Sequence, residues 1–421
     1  MANRSLKIFL SITKKMKRKL LQINITANWG SHGKIAEGIG ELALENGWES
    51  YIAYGRRARP SQSQLYHIGN MFDELLHGAV SRIADNHGLM SCRVTNKLVQ
   101  YIDNLQPDII HLHNIHGYYL NYPVLFRYFA KRDIPVVWTL HDCWPFTGHC
   151  AHYMFVGCQK WKTHCEHCPQ KGAYPKSIFL DRSYQNFEKK KYAFLSLKHL
   201  TLVPVSKWLQ NELKASFFQE HDTRLIYNGI DTNLFHPEFS GDFIRQKYNI
   251  PSNNRIVLGV ASNWYRKGLE DFIKLRAILD GHYSIVLVGL KERERKKITK
   301  DIIGIEHTEN QEELVALYSA ANVFFNPTWE DNFPTTNLES MACGTPVVTY
   351  KTGGSPEAIG KGIGYVIKQG DIELAKKTIM EICLHDKEFY KNNCRQRILN
   401  YFNMNERFSD YITLYNEILK D

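Results

Sequence analysis

The segment that decides the fold of this chain is Asn326-Pro-Thr-Trp-Glu-Asp-Asn-Phe-Pro-Thr-Thr-Asn-Leu-Glu-Ser-Met-Ala-Cys-Gly-Thr-Pro-Val-Val348. An apolar run ends where this segment begins, and Pro327 stops it. Pro334-Thr-Thr336 supplies the turn and capping residues of a helix, which Gly344 ends. Val347-Val348 opens the next buried strand. The segment therefore predicts an α/β sheet with a loop and a helix start at one strand end.

The start of this predicted helix is suited to an anion. Its first backbone N–H groups have no partner within the helix and lie at the positive end of the helix dipole. Thr335, Thr336 and Asn337 are therefore candidate contacts for a phosphate group. Asp331 and Glu339 flank them, and an anion site beside two carboxylates predicts binding of a nucleotide sugar.

The two carboxylates have the spacing Asp-x7-Glu, followed by Ser-Met-Ala-Cys-Gly-Thr-Pro-Val-Val. This pattern resembles the Glu-x7-Glu signature of family 4 retaining glycosyltransferases, in which two Rossmann-like domains face each other across a cleft, the GT-B architecture. The resemblance implies that Glu339 binds the donor ribose and that Asp331 lies near the transferred sugar. The family usually has Glu at the first position, and Glu330 precedes Asp331 here, so either carboxylate is a candidate for that role.

Length and composition limit the possible classes. A chain of 421 residues exceeds one ordinary hydrophobic core and predicts two domains of roughly 200 residues each. No run approaches the ~20 apolar residues of a membrane span, and no secretory signal is evident, so a cytoplasmic protein is expected. A net charge of +10 suits nucleic acid, an anionic membrane or a phosphorylated substrate.

The pattern of strands and helices divides the chain. Residues 1–15 precede a second methionine and form an extension, interpreted as an added upstream start or, as the alternative, as a basic segment that contacts anionic lipid. The pattern gives one α/β domain at residues 16–237 and a second at residues 250–400; the resemblance implies that the first is a Rossmann-like acceptor domain and the second a Rossmann-like nucleotide-sugar-binding domain. The resemblance implies that residues 401–421 form a helix returning to the first domain. Residues 64–100 are predicted as helical.

Polar side chains follow the predicted strands of the first domain. His113 and His116 follow one strand, and His141 with Asp142 follows the next. Ligands of open α/β sheets bind at the carboxyl ends of the strands, so His113, His116 and Asp142 are candidates for acceptor contact or proton handling. A histidine satisfied within the core is the alternative. Thr139-Leu-His-Asp142 resembles the family segment in which a histidine contacts the donor sugar, which implies that role for His141.

Two further positions are predicted to contact the donor. Arg266 and Lys267 stand at a predicted helix start after a buried strand, where a guanidinium, an ammonium and the helix dipole would meet a diphosphate together. The resemblance implies the same role. Gly33, in the first glycine loop, lets the backbone approach a ligand closely.

Four cysteines fall between residues 150 and 168: Cys150, Cys158, Cys165 and Cys168. The closing Cys-x-x-Cys has zinc-knuckle spacing, and four thiolates would fill a tetrahedral site without leaving a position for water. A structural zinc ion is therefore expected, and packed reduced thiols are the alternative. The surrounding insertion, residues 143–172, also resembles that of family 4 enzymes linked to colanic-acid-type exopolysaccharide assembly.

The residues and the family resemblance together predict a retaining glycosyltransferase without a catalytic cofactor. It would move a sugar from a UDP- or GDP-sugar to a carbohydrate or lipid-linked acceptor in surface polysaccharide biosynthesis, with peripheral contact to the anionic inner membrane as an additional expectation. A nucleotide-sugar epimerase or phosphorylase of the same architecture is the first alternative. A zinc-containing nucleic-acid-binding protein is the second, although no base-stacking motif accompanies the cysteines and no nucleic-acid partner is expected.

Overall fold

The computed structural model describes residues 17–237 and 241–420. The predicted extension, residues 1–15, lies outside the described residues. The first half contains β1 (Lys19–Ala27), α1 (Gly30–Glu45), β2 (Glu49–Ala58), β3 (Gln64–His67), α2 (Met71–Ala84), α3 (Cys92–Leu105), β4 (Ile109–Leu112), α4 (Tyr122–Arg132), β5 (Val136–Leu140), α5 (Ser183–Phe194), β6 (Leu200–Pro204) and α6 (Lys207–Lys214).

The second half contains α7 (Asp242–Lys247), β7 (Arg255–Val260), α8 (Leu269–Ile278), β8 (Tyr283–Val288), α9 (Glu292–Arg295), β9 (Ile302–Ile305), α10 (Gln311–Ala320), β10 (Val323–Asn326), α11 (Thr335–Ala342), β11 (Val347–Tyr350), β12 (Gly364–Ile367), α12 (Ile372–Leu384), α13 (Lys387–Tyr401) and α14 (Met404–Ile418). Short 3-10 turns at Trp144–Phe146, Met154–Val156 and Lys160–Lys162 shape the insertion. Within the described residues, no helix is long and apolar enough to span a bilayer.

Two six-stranded parallel sheets form the two halves. Their strand orders are β3-β2-β1-β4-β5-β6 and β12-β11-β10-β7-β8-β9, and both are the Rossmann order. The central strands are buried on both faces, as parallel sheets covered by helices require. In such sheets ligands bind beyond the carboxyl ends of the strands, where the strand order reverses. The reversals lie between β1 and β4 and between β7 and β10, and the predicted pair of Rossmann-like domains is confirmed.

Helix α14 returns to the first domain, as predicted. Phe408 packs on α1 at Gly38, where an added Cβ atom would lie only 2.2 Å from the Phe408 ring. The Tyr415 hydroxyl bonds to His111 Nδ1 at 2.6 Å, and the Thr139 hydroxyl donates to Tyr411 at 3.0 Å. The C-terminal helix is therefore anchored to the buried strands of the first sheet.

Three boundaries differ from the sequence analysis. Residues 64–67 form the edge strand β3 rather than the start of a helix, because they pair with β2. Helix α7 belongs to the second domain, which therefore begins before residue 250, since the Tyr248 hydroxyl donates to Glu313 of α10 at 2.5 Å. Helix α1 begins at Gly30, which places Gly33 in its first turn, where a Cβ atom would lie 2.6 Å from Thr26 Oγ1.

Candidate active site

The loops that follow β7 and β10 meet at the reversal of strand order in the second domain. Arg266 Nη1 lies 3.3 Å from Glu330 Oε2, and Lys267 forms an ion pair with Asp331. Both cations remain about a quarter exposed, at 25% and 23% of their side-chain surface. The structure thus brings the predicted phosphate-binding pair together with the predicted acidic motif.

The two competing carboxylates have different surroundings. The Glu330 side chain is 1% exposed, and its two oxygens accept from the Phe155 backbone N–H at 3.0 Å and from Arg266. The Asp331 side chain is 17% exposed and pairs with Lys267. Asp331 is therefore the more accessible carboxylate, while Glu330 joins the insertion to the second domain.

The three predicted anion contacts at the start of α11 differ in how exposed they are. Thr335 and Thr336 are half-buried at its first turn. Asn337 is buried, and its amide accepts from Asn326 at 2.8 Å and donates to the Ser355 hydroxyl at 3.0 Å. The Asn337 side chain thus ties the start of α11 to Asn326 and Ser355, and the two threonines are the accessible residues of this turn.

Glu339 lies one turn further along α11. Its Oε2 accepts from the Tyr318 hydroxyl at 2.8 Å. Burial raises the pKa of Glu339, and hydrogen bonds from Tyr318 and Thr335 and the charge of Lys34 on α1 oppose that rise.

His141 and His113 form a hydrogen-bonded pair on the opposite wall. Gln22 donates its amide to the Ala36 carbonyl at 2.7 Å, so its Oε1 accepts from His113 Nε2 at 3.0 Å. His113 Nδ1 is then an acceptor, and His141 Nε2 donates to it at 3.3 Å. Burial lowers the pKa of both imidazoles well below the ordinary value. His141 is therefore neutral, with Nδ1 as its remaining acceptor, and His113 is a core residue behind it.

His116 and Asp142 form a second pair. His116 Nε2 lies 2.8 Å from Asp142 Oδ2, and His116 Nδ1 lies 3.0 Å from the Tyr174 hydroxyl. Burial alone would raise the pKa of Asp142, but the charge and hydrogen bond of His116 hold it well below its usual range. Asp142 is thus an ionised acceptor next to the cleft.

Direct bonds hold the two walls of the cleft together. The Asn332 amide donates to the His141 carbonyl at 2.7 Å. Glu357 accepts from the backbone N–H groups of Lys207 and Trp208 at 2.8 and 2.7 Å. Asn332 and Glu357, like Tyr174 and Tyr318, were not predicted as site residues, because their partners are remote in sequence and no local motif marks them.

The four cysteines line one small space of about 10 Å³, together with His149. His149 Nδ1 lies 2.6 Å from Asp85 Oδ1, and its buried Nε2 has no hydrogen-bond partner. Over residues 17–237 and 241–420, no group of three or more His, Cys, Asp or Glu side chains is arranged to hold a metal ion. The thiols thus share one space without forming a coordination site as they lie.

Comparison with known proteins identifies the family. Residues 41–234 match the sequence profile Glycosyltransferase Family 4, and residues 240–398 match Glycosyl transferases group 1. A relative is the putative colanic acid biosynthesis glycosyl transferase WcaC of Escherichia coli K12, which is 24% identical over 84% of this chain and 88% of its own length.

Solved structures share the fold. Sucrose-phosphate synthase of Thermosynechococcus elongatus superposes with a TM-score of 0.68 at 18% identity, over 96% of this chain and 100% of its own. Anabaena HepE in complex with UDP-glucose superposes with a TM-score of 0.60 at 15% identity, over 94% and 99% of the two chains. The two profiles and the paired Rossmann-like domains establish that this chain belongs to the family 4 glycosyltransferases of GT-B architecture.

Proposed function

We propose that this glycosyltransferase transfers a sugar from a UDP- or GDP-sugar to a carbohydrate or lipid-linked acceptor in surface polysaccharide biosynthesis, with retention of anomeric configuration. The observation that carries the proposal is the meeting of Arg266, Lys267 and Asp331 across the cleft from His141. The UDP-glucose bound to HepE and the colanic acid role in the name of WcaC support the donor and the acceptor class.

The chemistry of the leaving group follows from the cations. A departing nucleoside diphosphate gains negative charge, and fixed donors in a closed cleft stabilise that charge more than water does. Arg266 and Lys267 would supply two charged donors, and the first turn of α11 at Thr335 and Thr336 would add the helix dipole. In the free enzyme, Glu330 and Asp331 neutralise these cations.

The remaining groups suit the sugar and the ribose. His141 is neutral and offers Nδ1 as an acceptor for a sugar hydroxyl, while Glu339 offers carboxylate oxygens to the ribose hydroxyls. Asp331 would lie beside the transferred sugar once Lys267 turns to the diphosphate. His116 and Asp142 would face the acceptor, with His113 holding His141 from behind.

Substitution of the two cations tests this assignment. Arg266→Ala and Lys267→Ala should each slow transfer by about two orders of magnitude, because each removes a charged contact to the leaving diphosphate. Transfer of labelled sugar to a lipid-linked oligosaccharide extract, with UDP- and GDP-sugars compared, is the measurement. Arg293→Ala, which removes an exposed cation from α9, is the matched control. Near-normal rates for both variants would remove the pair from the donor site.

We also propose a structural zinc ion held by Cys150, Cys158, Cys165 and Cys168. Four thiols around one small space, beside the unpartnered His149 Nε2, are a suitable donor set for zinc. Binding would draw the thiolates inward from their present positions. When bound, the ion would fix the shape of an insertion that has only short 3-10 turns of its own.

A further inference from the structure

Helix α2 has an inverted amphipathic pattern. Its large apolar side chains are exposed, with Met71 at 75% and Phe72 at 72%, followed along the same face by Leu75, Leu76 and Ile83. The residues that it buries are small or polar, namely His77, Gly78 and Ser81. A surface helix normally buries its apolar stripe, so this face of α2 lacks the partner that its composition requires.

His77, on the buried polar side of α2, is hydrogen-bonded at both ring nitrogens, and these bonds fix the orientation of the helix. His77 Nδ1 lies 2.8 Å from the Ser91 hydroxyl, and the Gly88 backbone N–H donates to His77 Nε2 at 3.1 Å. Asn70 caps the helix through the N–H groups of Phe72 and Asp73. Rotating α2 to bury its apolar face would break these bonds.

The loop that follows the insertion extends the exposed face. The Ile178 backbone N–H donates to the Arg82 carbonyl at 2.7 Å, and that of Leu180 donates to the Ile83 carbonyl at 3.3 Å. These bonds place an exposed loop, with Phe179 at 68%, beside the end of α2. We call the resulting surface the apolar patch; it consists of Met71, Phe72, Leu75, Leu76, Ile83, Ile178, Phe179 and Leu180.

The charges around the apolar patch are mainly positive. The acidic residues of α2 beside it are paired, Glu74 with Arg56 at 3.2 Å and Asp73 with Arg93 at 3.7 Å, while Asp181 accepts from the Cys168 and Ser183 N–H groups. The further cations around the patch are Arg82 of α2, Lys171 of the insertion and Lys176 of the loop that follows it. Apolar side chains that enter the acyl boundary, with basic residues at headgroup level, are typical of interfacial membrane binding. A second copy on the same patch would instead bring like charges together.

We propose that the apolar patch binds the surface of an anionic lipid bilayer. The patch adjoins the acceptor side of the cleft, because the Arg82 guanidinium of α2 lies 5.5 Å from the Tyr118 ring, and the Tyr118 ring lies 6.4 Å from the Tyr174 ring. Tyr174, in the loop that follows the insertion, contacts His116. The orientation rests on the proposed function: it would present a lipid-linked acceptor to His116 and Asp142 without extraction from the membrane.

Vesicle sedimentation of the full chain tests the proposal. The triple variant Phe72→Ser, Leu75→Ser, Phe179→Ser should bind phosphatidylglycerol vesicles at least about tenfold more weakly than the unmodified protein. Phosphatidylcholine vesicles should also bind the unmodified protein about tenfold more weakly, because they lack net charge. The matched control, Phe243→Ser, Leu384→Ser, Phe389→Ser, removes equally exposed side chains from the second domain and should bind as the unmodified protein does.

Two further measurements distinguish failure of the membrane proposal from failure of the proposed function. Binding of UDP and GDP by calorimetry, unchanged in the triple variant, shows that the cleft is intact; failure of the unmodified protein to bind either nucleotide would count against the proposed function alone. Equal vesicle binding by the triple variant and the control would overturn the membrane proposal. So would a dimer in lipid-free solution that only the triple variant abolishes, because the patch would then bind a second copy.

Discussion

At the residue scale, the role of the acidic motif depends on which of two adjacent carboxylates, Glu330 or Asp331, lies near the transferred sugar. Spacing from Glu339 favours Asp331, whereas the longer side chain favours Glu330. The structure holds both oxygens of Glu330 with protein donors, one from Phe155 and one from Arg266. Asp331 pairs with Lys267 and has a greater exposed fraction than Glu330. The surroundings of the two carboxylates therefore favour Asp331, as the spacing from Glu339 does.

We expect Asp331→Asn to lower kcat by about 100-fold, because it removes a charge at the reacting centre. Glu330→Gln should leave kcat close to that of the unmodified enzyme, since an amide oxygen still accepts from the Phe155 N–H. Glu339→Gln should instead raise KM for the donor through its weakened ribose contact. Steady-state kinetics on the three purified variants measures this. The opposite ranking of Asp331→Asn and Glu330→Gln would transfer the role to Glu330.

At the element scale, the insertion of residues 143–172 connects three parts of the molecule. It carries the cysteines, its Met154–Val156 turn brings the Phe155 N–H to Glu330, and the loop directly after it brings Tyr174 to His116. It contains no strand and no α-helix among its described residues. Its shape therefore depends on side-chain packing and, in our proposal, on the zinc ion.

Loss of the ion should reduce stability more than activity. Chelation, or Cys165→Ser with Cys168→Ser, should lower Tm while the fraction that stays folded keeps most of its kcat, because the thiols do not line the cleft. Thermal unfolding, activity and elemental analysis on the same samples measure this. Cys92→Ser, at an exposed cysteine outside the insertion, is the control and should change none of them. Purified protein without stoichiometric zinc would refute the proposal.

At the scale of the whole molecule, buried histidines should determine the stability at mildly acidic pH. Burial lowers the pKa of His32 to about 4, that of His77 to about 4 and that of His152 to about 3. It lowers four others well below the ordinary value: His87, His111, His113 and His141. Below pH 6.5 the unfolded chain therefore binds more protons than the folded chain, so the free energy of unfolding falls as the pH falls.

We predict that Tm is highest near neutral pH and falls steadily between pH 6.5 and pH 5. Each such histidine contributes about 1.4 kcal/mol per pH unit well inside this window. Carboxyl groups whose pKa is raised by burial, Glu339 among them, act in the opposite direction at its acidic end. Denaturant unfolding at several pH values measures the slope, and His77→Gln should reduce it. A free energy of unfolding that does not change over this range would contradict the prediction.

The sequence by itself determined the features that depend on local chemistry. Apolar runs and amphipathic helices predicted two α/β domains, and the family resemblance implied that both are Rossmann-like. The Arg266-Lys267 and Asp-x7-Glu339 motifs predicted the second-domain site, because strand ends, helix starts and caps are encoded within a few residues. The return of α14 followed from the family resemblance. The predicted boundaries were wrong where an element depends on contacts with residues distant in sequence. Strand β3 pairs with β2, and the end of α7 packs on α10.

Only the tertiary structure decided which polar groups are accessible. Glu330 is buried because Phe155, 175 residues away in sequence, donates to it, and His113 is a core residue because Gln22 and His141 occupy both its nitrogens. The exposed apolar face of α2 is likewise a consequence of the polar contacts that seat its other side. Burial and hydrogen-bond partners depend on what packs across the sheet and the cleft, and no local pattern of residues contains that information.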